Sequence, residues 1–187
     1  VGLEILSVSM YVLTGSDKRN LRSNEAALKY FLMGAFATGI MLFGIALLYG
    51  ATGSFIISDI RAYAANGATL TSPLLLFMGM LMVLIGMLFK VSAAPFHFWT
   101  PDVYDGAPSL FTAFMSTVVK TAGVAATYRL LSTAFPDMYG TWGNPMIYIT
   151  AITLIIGNLT AVYQQSFKRM LAYSSISHAG YLLITVL

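Results

Sequence analysis

Three ionisable residues stand inside stretches that are otherwise apolar: Glu4 in Gly2-Leu3-Glu4-Ile5-Leu6, Lys90 at the end of Met87-Leu88-Phe89-Lys90-Val91, and Lys120 in Val118-Val119-Lys120-Thr121-Ala122-Gly123. On insertion scales a charge at the centre of an apolar span costs about 2.5–3.5 kcal/mol, so such residues are rare and mark either a paired charge or an ion pathway. Burial disfavours the charged form of lysine. A lysine that is always charged in water can therefore load and release a proton in such a setting. Glu4 lies about eleven residues before a basic segment, roughly 16 Å along a helix, which puts it near the middle of a bilayer. Nothing close in sequence neutralises it. A carboxylate there is a link in an ion path, a pair holding two helices together, or a group that stays protonated. Lys120 sits near the centre of its run, too deep to snorkel, and is a proton carrier or a fixed counter-ion.

Lys90 precedes Val91-Ser92-Ala93-Ala94-Pro95-Phe96-His97-Phe98-Trp99. Pro95 has no amide hydrogen and its ring would clash with the Val91 carbonyl, so a helix through Lys90 must break or kink there. Irregular backbone at membrane depth survives only inside protein or beside a wet cavity. Lys90 is thus part of a polar route or an interfacial anchor reaching for headgroups, and local sequence leaves both open. His97, two residues beyond the proline, and His178 are imidazoles able to pass protons near neutral pH or hydrogen-bonded packing residues. Lys29, at the start of a helix, reads as an interfacial cation. Tyr173, Ser174, Ser175 and Ser177 form a hydroxyl-rich patch before His178.

The elements that carry these residues follow from composition. Of 187 residues 58% are hydrophobic and 9% charged, with a mean hydropathy of +0.78; soluble domains carry about 25% charged residues. The chain must turn most of its surface to lipid or to other apolar protein. Apolar runs near the length needed to span hydrocarbon recur about six times: Val1 to Thr14, Ala27 to Tyr49, Leu74 to Val91, Ser109 to Leu131, Pro145 to Tyr163, and from Arg169 onward. None alternates with period two, so the expected fold is all-α, a polytopic transmembrane helix bundle broken near Pro95. The first connection holds Lys18, Arg19, Arg22 and Lys29 and the fifth Lys168 and Arg169, while the second and fourth hold only Arg61 and Arg129. The odd connections are therefore expected on the cytoplasmic side; the third carries no cation beyond Lys90. Glycines at 34, 39, 44, 79, 86, 123 and 157 suit close helix packing or reflect the general frequency of glycine in such helices.

Several functions are excluded. With no cysteine, disulfides, iron–sulfur clusters and thiolate zinc sites are ruled out, and two histidines far apart in sequence and without nearby carboxylates do not suggest a metal centre. The net charge of +3 is dispersed among short loops, so nucleic acid is not a partner. No phosphate loop or dinucleotide fingerprint is present. The chain opens on valine within an apolar stretch and has no signal-peptide pattern; it reads as an internal piece of a longer protein.

Three stretches resemble the antiporter-like membrane subunits of respiratory complex I, the proton-translocating NADH:quinone oxidoreductase. Gly2-Leu3-Glu4-Ile5-Leu6-Ser7 with Ser23-Asn24-Glu25-Ala26-Ala27-Leu28-Lys29-Tyr30-Phe31 resembles that family's fifth helix and the start of its sixth. The segment from Lys90 through Pro95-Phe96-His97-Phe98-Trp99-Thr100-Pro101-Asp102-Val103-Tyr104 to Pro108 resembles its broken seventh helix, and Phe167 to Tyr181 its tenth. Asp105 stands where the family commonly has glutamate, and Ser109-Leu110 departs from a more usual proline region. The resemblance implies that Glu4 and Lys90 form a carboxylate–lysine pair, that Lys120 is the central lysine of proton translocation, and that Lys29, His97 and His178 are accessory members of the path. It implies that residues 1–187 form part of one proton-translocating membrane domain, roughly helices five to ten of the parent. It further implies a multi-pass protein of the bacterial inner membrane whose partners are the lipid bilayer, homologous antiporter-like subunits and small membrane subunits. No cofactor is expected in this chain; NADH, FMN, iron–sulfur clusters and quinone are expected only in partner subunits. A Mrp-type cation/proton antiporter subunit and a scaffold with fixed ion pairs are the two alternatives.

Overall fold

The computed structural model describes residues 1–66 and 72–187. Its described residues form helices and turns without strands: α1 (Gly2–Thr14), α2 (Leu21–Thr52), α3 (Ile57–Ala65), α4 (Pro73–Val91), α5 (Thr100–Gly106), α6 (Ser109–Phe114), α7 (Lys120–Ala134), α8 (Tyr139–Val162) and α9 (Phe167–Ile184). A π-helical turn, Met115–Val119, joins α6 to α7, and a 3₁₀ turn, Pro136–Met138, leads into α8.

Boundaries follow local chemistry. The Asn20 side chain accepts the Arg22 amide hydrogen and starts α2, and Gly53, at φ 71°, closes it in the left-handed conformation that glycine adopts without cost. Ser166 starts α9 by accepting from the Arg169 amide. Among the described residues four stretches are long and apolar enough to cross a membrane: Leu21–Thr52, Pro73–Val91, Ser109–Ala134 and Pro136–Val162. Four clear spans stand against about six expected. α1 is apolar but only 13 residues long, and α9 is diluted by Lys168, Arg169, His178 and five hydroxyl residues. α8 also starts earlier than expected, with Pro145 inside it. A proline in a membrane helix is tolerated where neighbours and local adjustment satisfy the carbonyl it frees.

The bundle is closed by close backbone approach. α2 and α4 form its most extensive helix pair; a Cβ on Gly44 would lie 2.9 Å from the Gly79 carbonyl oxygen, and one on Gly79 the same distance from that of Gly44. Gly86 meets Met41 across the same seam, Gly34 receives the Tyr11 hydroxyl of α1, Gly157 meets the Ser177 backbone of α9, and Gly123 meets Val91. Six of the seven glycines noted in the sequence thus serve packing, as small residues do where lipid supplies no drive for helix association. Gly39 faces open space. Outward-facing Leu28, Leu32, Phe36, Phe43, Ile155 and Leu159 are exposed, the apolar surface a bilayer covers.

α4 stops where Pro95 predicts. Its last turn closes with Ser92 at φ 63° and with the Ala93 amide donating to the Leu88 carbonyl at 2.9 Å, the arrangement that satisfies free carbonyls at a helix end. The Ala94–Pro95 peptide is cis. Two tethers hold the interruption. The Ala94 amide donates to Thr153 Oγ1 of α8 at 2.9 Å, and Trp99 Nε1 donates to the Phe89 carbonyl at 3.1 Å. Trp99 stacks on Tyr30 of α2 at 4.7 Å between ring centroids and lies 5.5 Å from Phe89.

Candidate functional site

The structure brings Glu4 and Lys90 together. Lys90 Nζ lies 3.0 Å from Glu4 Oε1, with the lysine side chain 6% exposed and the glutamate 25%. This contact is one of charge, since Oε1 lacks hydrogen-bond geometry; the ammonium donates instead to Ser7 Oγ at 3.0 Å. Glu4 Oε2 accepts from Thr38 Oγ1 of α2 at 3.1 Å. Ser7 stands one helical turn after Glu4, so both face α4, and the α4 break leaves Lys90 one residue before the helix ends.

Lys120 is 3% exposed and pairs with no carboxylate among the described residues. Its Nζ donates to the Ser175 carbonyl of α9 at 2.7 Å and sits 5.8 Å from the centre of the Tyr104 ring. A π-face and a carbonyl dipole can both attract an ammonium, yet neither supplies a full countercharge. The fixed counter-ion reading of Lys120 therefore has no partner among the described residues. Immediately before it, the Ser116 and Thr117 hydroxyls donate to the Ala113 carbonyl at 2.9 and 2.8 Å. They compete for the acceptor that the next helical amide would use, and the helix widens into its π turn.

Val91, next to Lys90, packs on Gly123, one turn beyond Lys120. The two lysines thus lie on facing helices beside the end of α4. Buried polar atoms without a hydrogen-bond partner gather on the break and around it: Ser92 Oγ, Thr100 Oγ1, His97 Nδ1 and the Tyr104 hydroxyl, which faces Ser175 without hydrogen-bond geometry. Such atoms are costly in a dry interior, so this region is polar in character.

The remaining sequence candidates separate. His97 is half-buried in the turn between α4 and α5. His178 is exposed on α9 and lines a groove of about 820 Å³ that also contains Tyr104 and Ser175, the two groups touching Lys120. Lys29 lies elsewhere, 2.7 Å from Glu25 and 3.0 Å from Asp102. Asp102 also holds Arg169 at 2.9 Å. Burial alone pushes the Asp102 carboxyl up, but the hydrogen bond and charge of Lys29, with the nearby Arg169, more than reverse this and hold it below its ordinary 3.8. This cluster draws the first, third and fifth connections to one end of the bundle, in line with the charge bias in the sequence. Sequence reading missed Ser7, Thr38, Tyr104, Asp102 and Thr153. None of the five stands out from its neighbours in the sequence.

A family model described as NADH:quinone oxidoreductase/Mrp antiporter, TM, matches residues 1–187. The chain belongs to this transmembrane antiporter family. NADH-quinone oxidoreductase subunit N of Trichlorobacter lovleyi is 50% identical over 184 residues, covering 98% of this chain and 38% of that one. In the structure of respiratory complex I from Thermus thermophilus with bound aureothin, a chain 42% identical superposes with a TM-score of 0.79, over 98% of this chain and 38% of its own. A chain of the Mrp complex from a Dietzia species shares the fold at TM-score 0.87 and 24% identity, over 98% of this chain and 34% of its own. The chain thus spans about two-fifths of the length of its subunit N relatives. Among the described residues no group of three His, Cys, Asp or Glu could hold a metal.

Proposed function

We propose that this chain is the proton-translocating core of an antiporter-like subunit N of NADH:quinone oxidoreductase in the bacterial inner membrane, corresponding to roughly helices five to ten of that subunit. It moves protons while NADH, FMN, iron–sulfur clusters and quinone do their chemistry in partner subunits of the membrane and redox arms. The observation that carries the reading is the Glu4–Lys90 contact at 3.0 Å, on a helix that faces the one carrying Lys120, which among the described residues touches a carbonyl and a ring face but no carboxylate.

While Glu4 is ionised and in contact, it is the countercharge of the Lys90 ammonium. Moving the carboxylate away, or protonating it, removes that support and lets Lys90 release its proton toward Lys120. Lys120 has no carboxylate among the described residues to trap it in the charged form, so a proton that reaches it is passed on. His178, on the shared groove wall, and His97, in the turn, are accessory members of the path. Lys29 serves at its cytoplasmic end. Moving one charge against 100 mV costs about 2.3 kcal/mol, a difference that forming or breaking a buried ion pair can supply.

The test uses the full-length subunit in the assembled complex, reconstituted in vesicles. Lys120→Ala should lower protons moved per NADH oxidised. Undiminished pumping at normal electron flux would overturn the role. Sodium-dependent exchange without NADH oxidation would favour the Mrp-type reading, which the 50% identity to subunit N weighs against.

A further inference from the structure

We propose that Thr38 and Ser7 are positioning residues that hold Glu4 and Lys90 in contact, an inference that rests on the proton-path reading of that pair. A glutamate and a lysine have long, freely rotating side chains, and ordering them costs entropy. Each is fixed here by a hydroxyl from outside the pair. Thr38 Oγ1 donates to Glu4 Oε2 at 3.1 Å, which ties down one carboxylate oxygen and leaves the other facing Lys90. Ser7 Oγ gives its own hydrogen to the Leu3 carbonyl at 2.8 Å, so towards Lys90 Nζ, at 3.0 Å, it presents lone pairs. The two hydroxyls therefore have fixed and opposite senses. One donates to the anion and the other accepts from the cation.

Three helices contribute: Glu4 and Ser7 from α1, Thr38 from α2 and Lys90 from α4. The α1–α2 distance at this level is set by Gly34, one turn before Thr38, whose missing side chain admits the Tyr11 hydroxyl. That phenol lies among Glu4, Ser7 and Thr38. The supporting hydroxyls are thus built into the helix packing. Hydrogen bonds to charged groups contribute more than those between neutral ones.

The alternative is that Thr38 only fills space, and shape and hydrogen bonding can be separated. Thr38→Val keeps the shape and loses the donor, whereas Thr38→Ser keeps the donor and loses a methyl. Both are placed in the full-length subunit of the assembled complex, beside Ser7→Ala and Glu4→Gln, and proton uptake into vesicles is measured at matched NADH oxidation rate. Thr38→Val and Ser7→Ala should fall to the level of Glu4→Gln, Thr38→Ser should match the parent, and Thr38→Val should cause no further loss in a Glu4→Gln background. A parent-like Thr38→Val beside an impaired Glu4→Gln overturns this inference alone, as does an impaired Thr38→Ser with a parent-like Thr38→Val. Normal pumping by Glu4→Gln overturns the proton-path reading of the pair, and the inference with it.

Discussion

Asp102 accepts Lys29 at 3.0 Å and Arg169 at 2.9 Å, so a single carboxylate joins α2, α5 and α9. Because its folded-state proton affinity is below the ordinary carboxylate value, its contribution is complete above the unfolded value and is lost as pH falls through the lower folded one. The window lies below about pH 4. With the side chain 36% exposed, screening limits the contribution to about 1 kcal/mol or less. Asp102→Asn should therefore lower the melting temperature in detergent at pH 7 and flatten its decline below about pH 4; equal acid-side slopes in the two proteins would refute this. At this scale Glu4, Lys90 and Lys120 were legible because a charge in an apolar run is conspicuous in any sequence. Their surroundings were not. Lys90 and Ser7 are 83 positions apart and Lys120 and Ser175 are 55 apart, and no local pattern in an uncharged Ser or Thr marks such a partner. Resemblance alone joined Glu4 to Lys90, and the geometry then placed them in contact.

The α2–α4 seam shows how little room the bundle leaves between elements. A Cβ at Gly79 would meet backbone atoms of both Gly44 and Leu48 at 2.9 Å, and backbone cannot yield as a flexible side chain can. Gly79→Leu should destabilise the subunit by about 1–3 kcal/mol or more, seen as a lower melting temperature and reduced assembly, whereas Gly39→Ala, facing open space, should be neutral or slightly stabilising. Equal effects of the two would contradict the packing described. Long apolar helices were legible from hydropathy, and the end of α4 from the steric rule at Pro95. Less regular features escaped. α3 is only 9 residues long and lies in a polar connection; the π turn depends on hydroxyls choosing the Ala113 carbonyl; and Pro145, read as a helix start, lies within α8 because its freed carbonyl is tolerated there.

For the molecule as a whole, charge bias and tertiary structure agree on which connections share an end. Lacking cysteine, the chain is suited to single-cysteine labelling. In sealed vesicles a membrane-impermeant maleimide should reach Ser16→Cys and Gln165→Cys from the cytoplasmic face and Ser58→Cys from the other; opposite accessibility of Ser16→Cys and Gln165→Cys would refute the topology. The helix break has an electrical consequence at the same scale. Aligned peptide units give every helix a negative pole at its carboxyl end, equivalent to about half an elementary charge. In an unbroken span that pole lies at the membrane surface, where water and ions weaken it. Ending α4 at Val91, level with Glu4, which stands ten residues before the last residue of α1, brings the pole into the low-dielectric interior beside Lys90 in its last turn. Lys90 therefore lies between two attractions of different kinds. One is a carboxylate that a single proton can silence, and the other is a dipole that persists as long as the helix does.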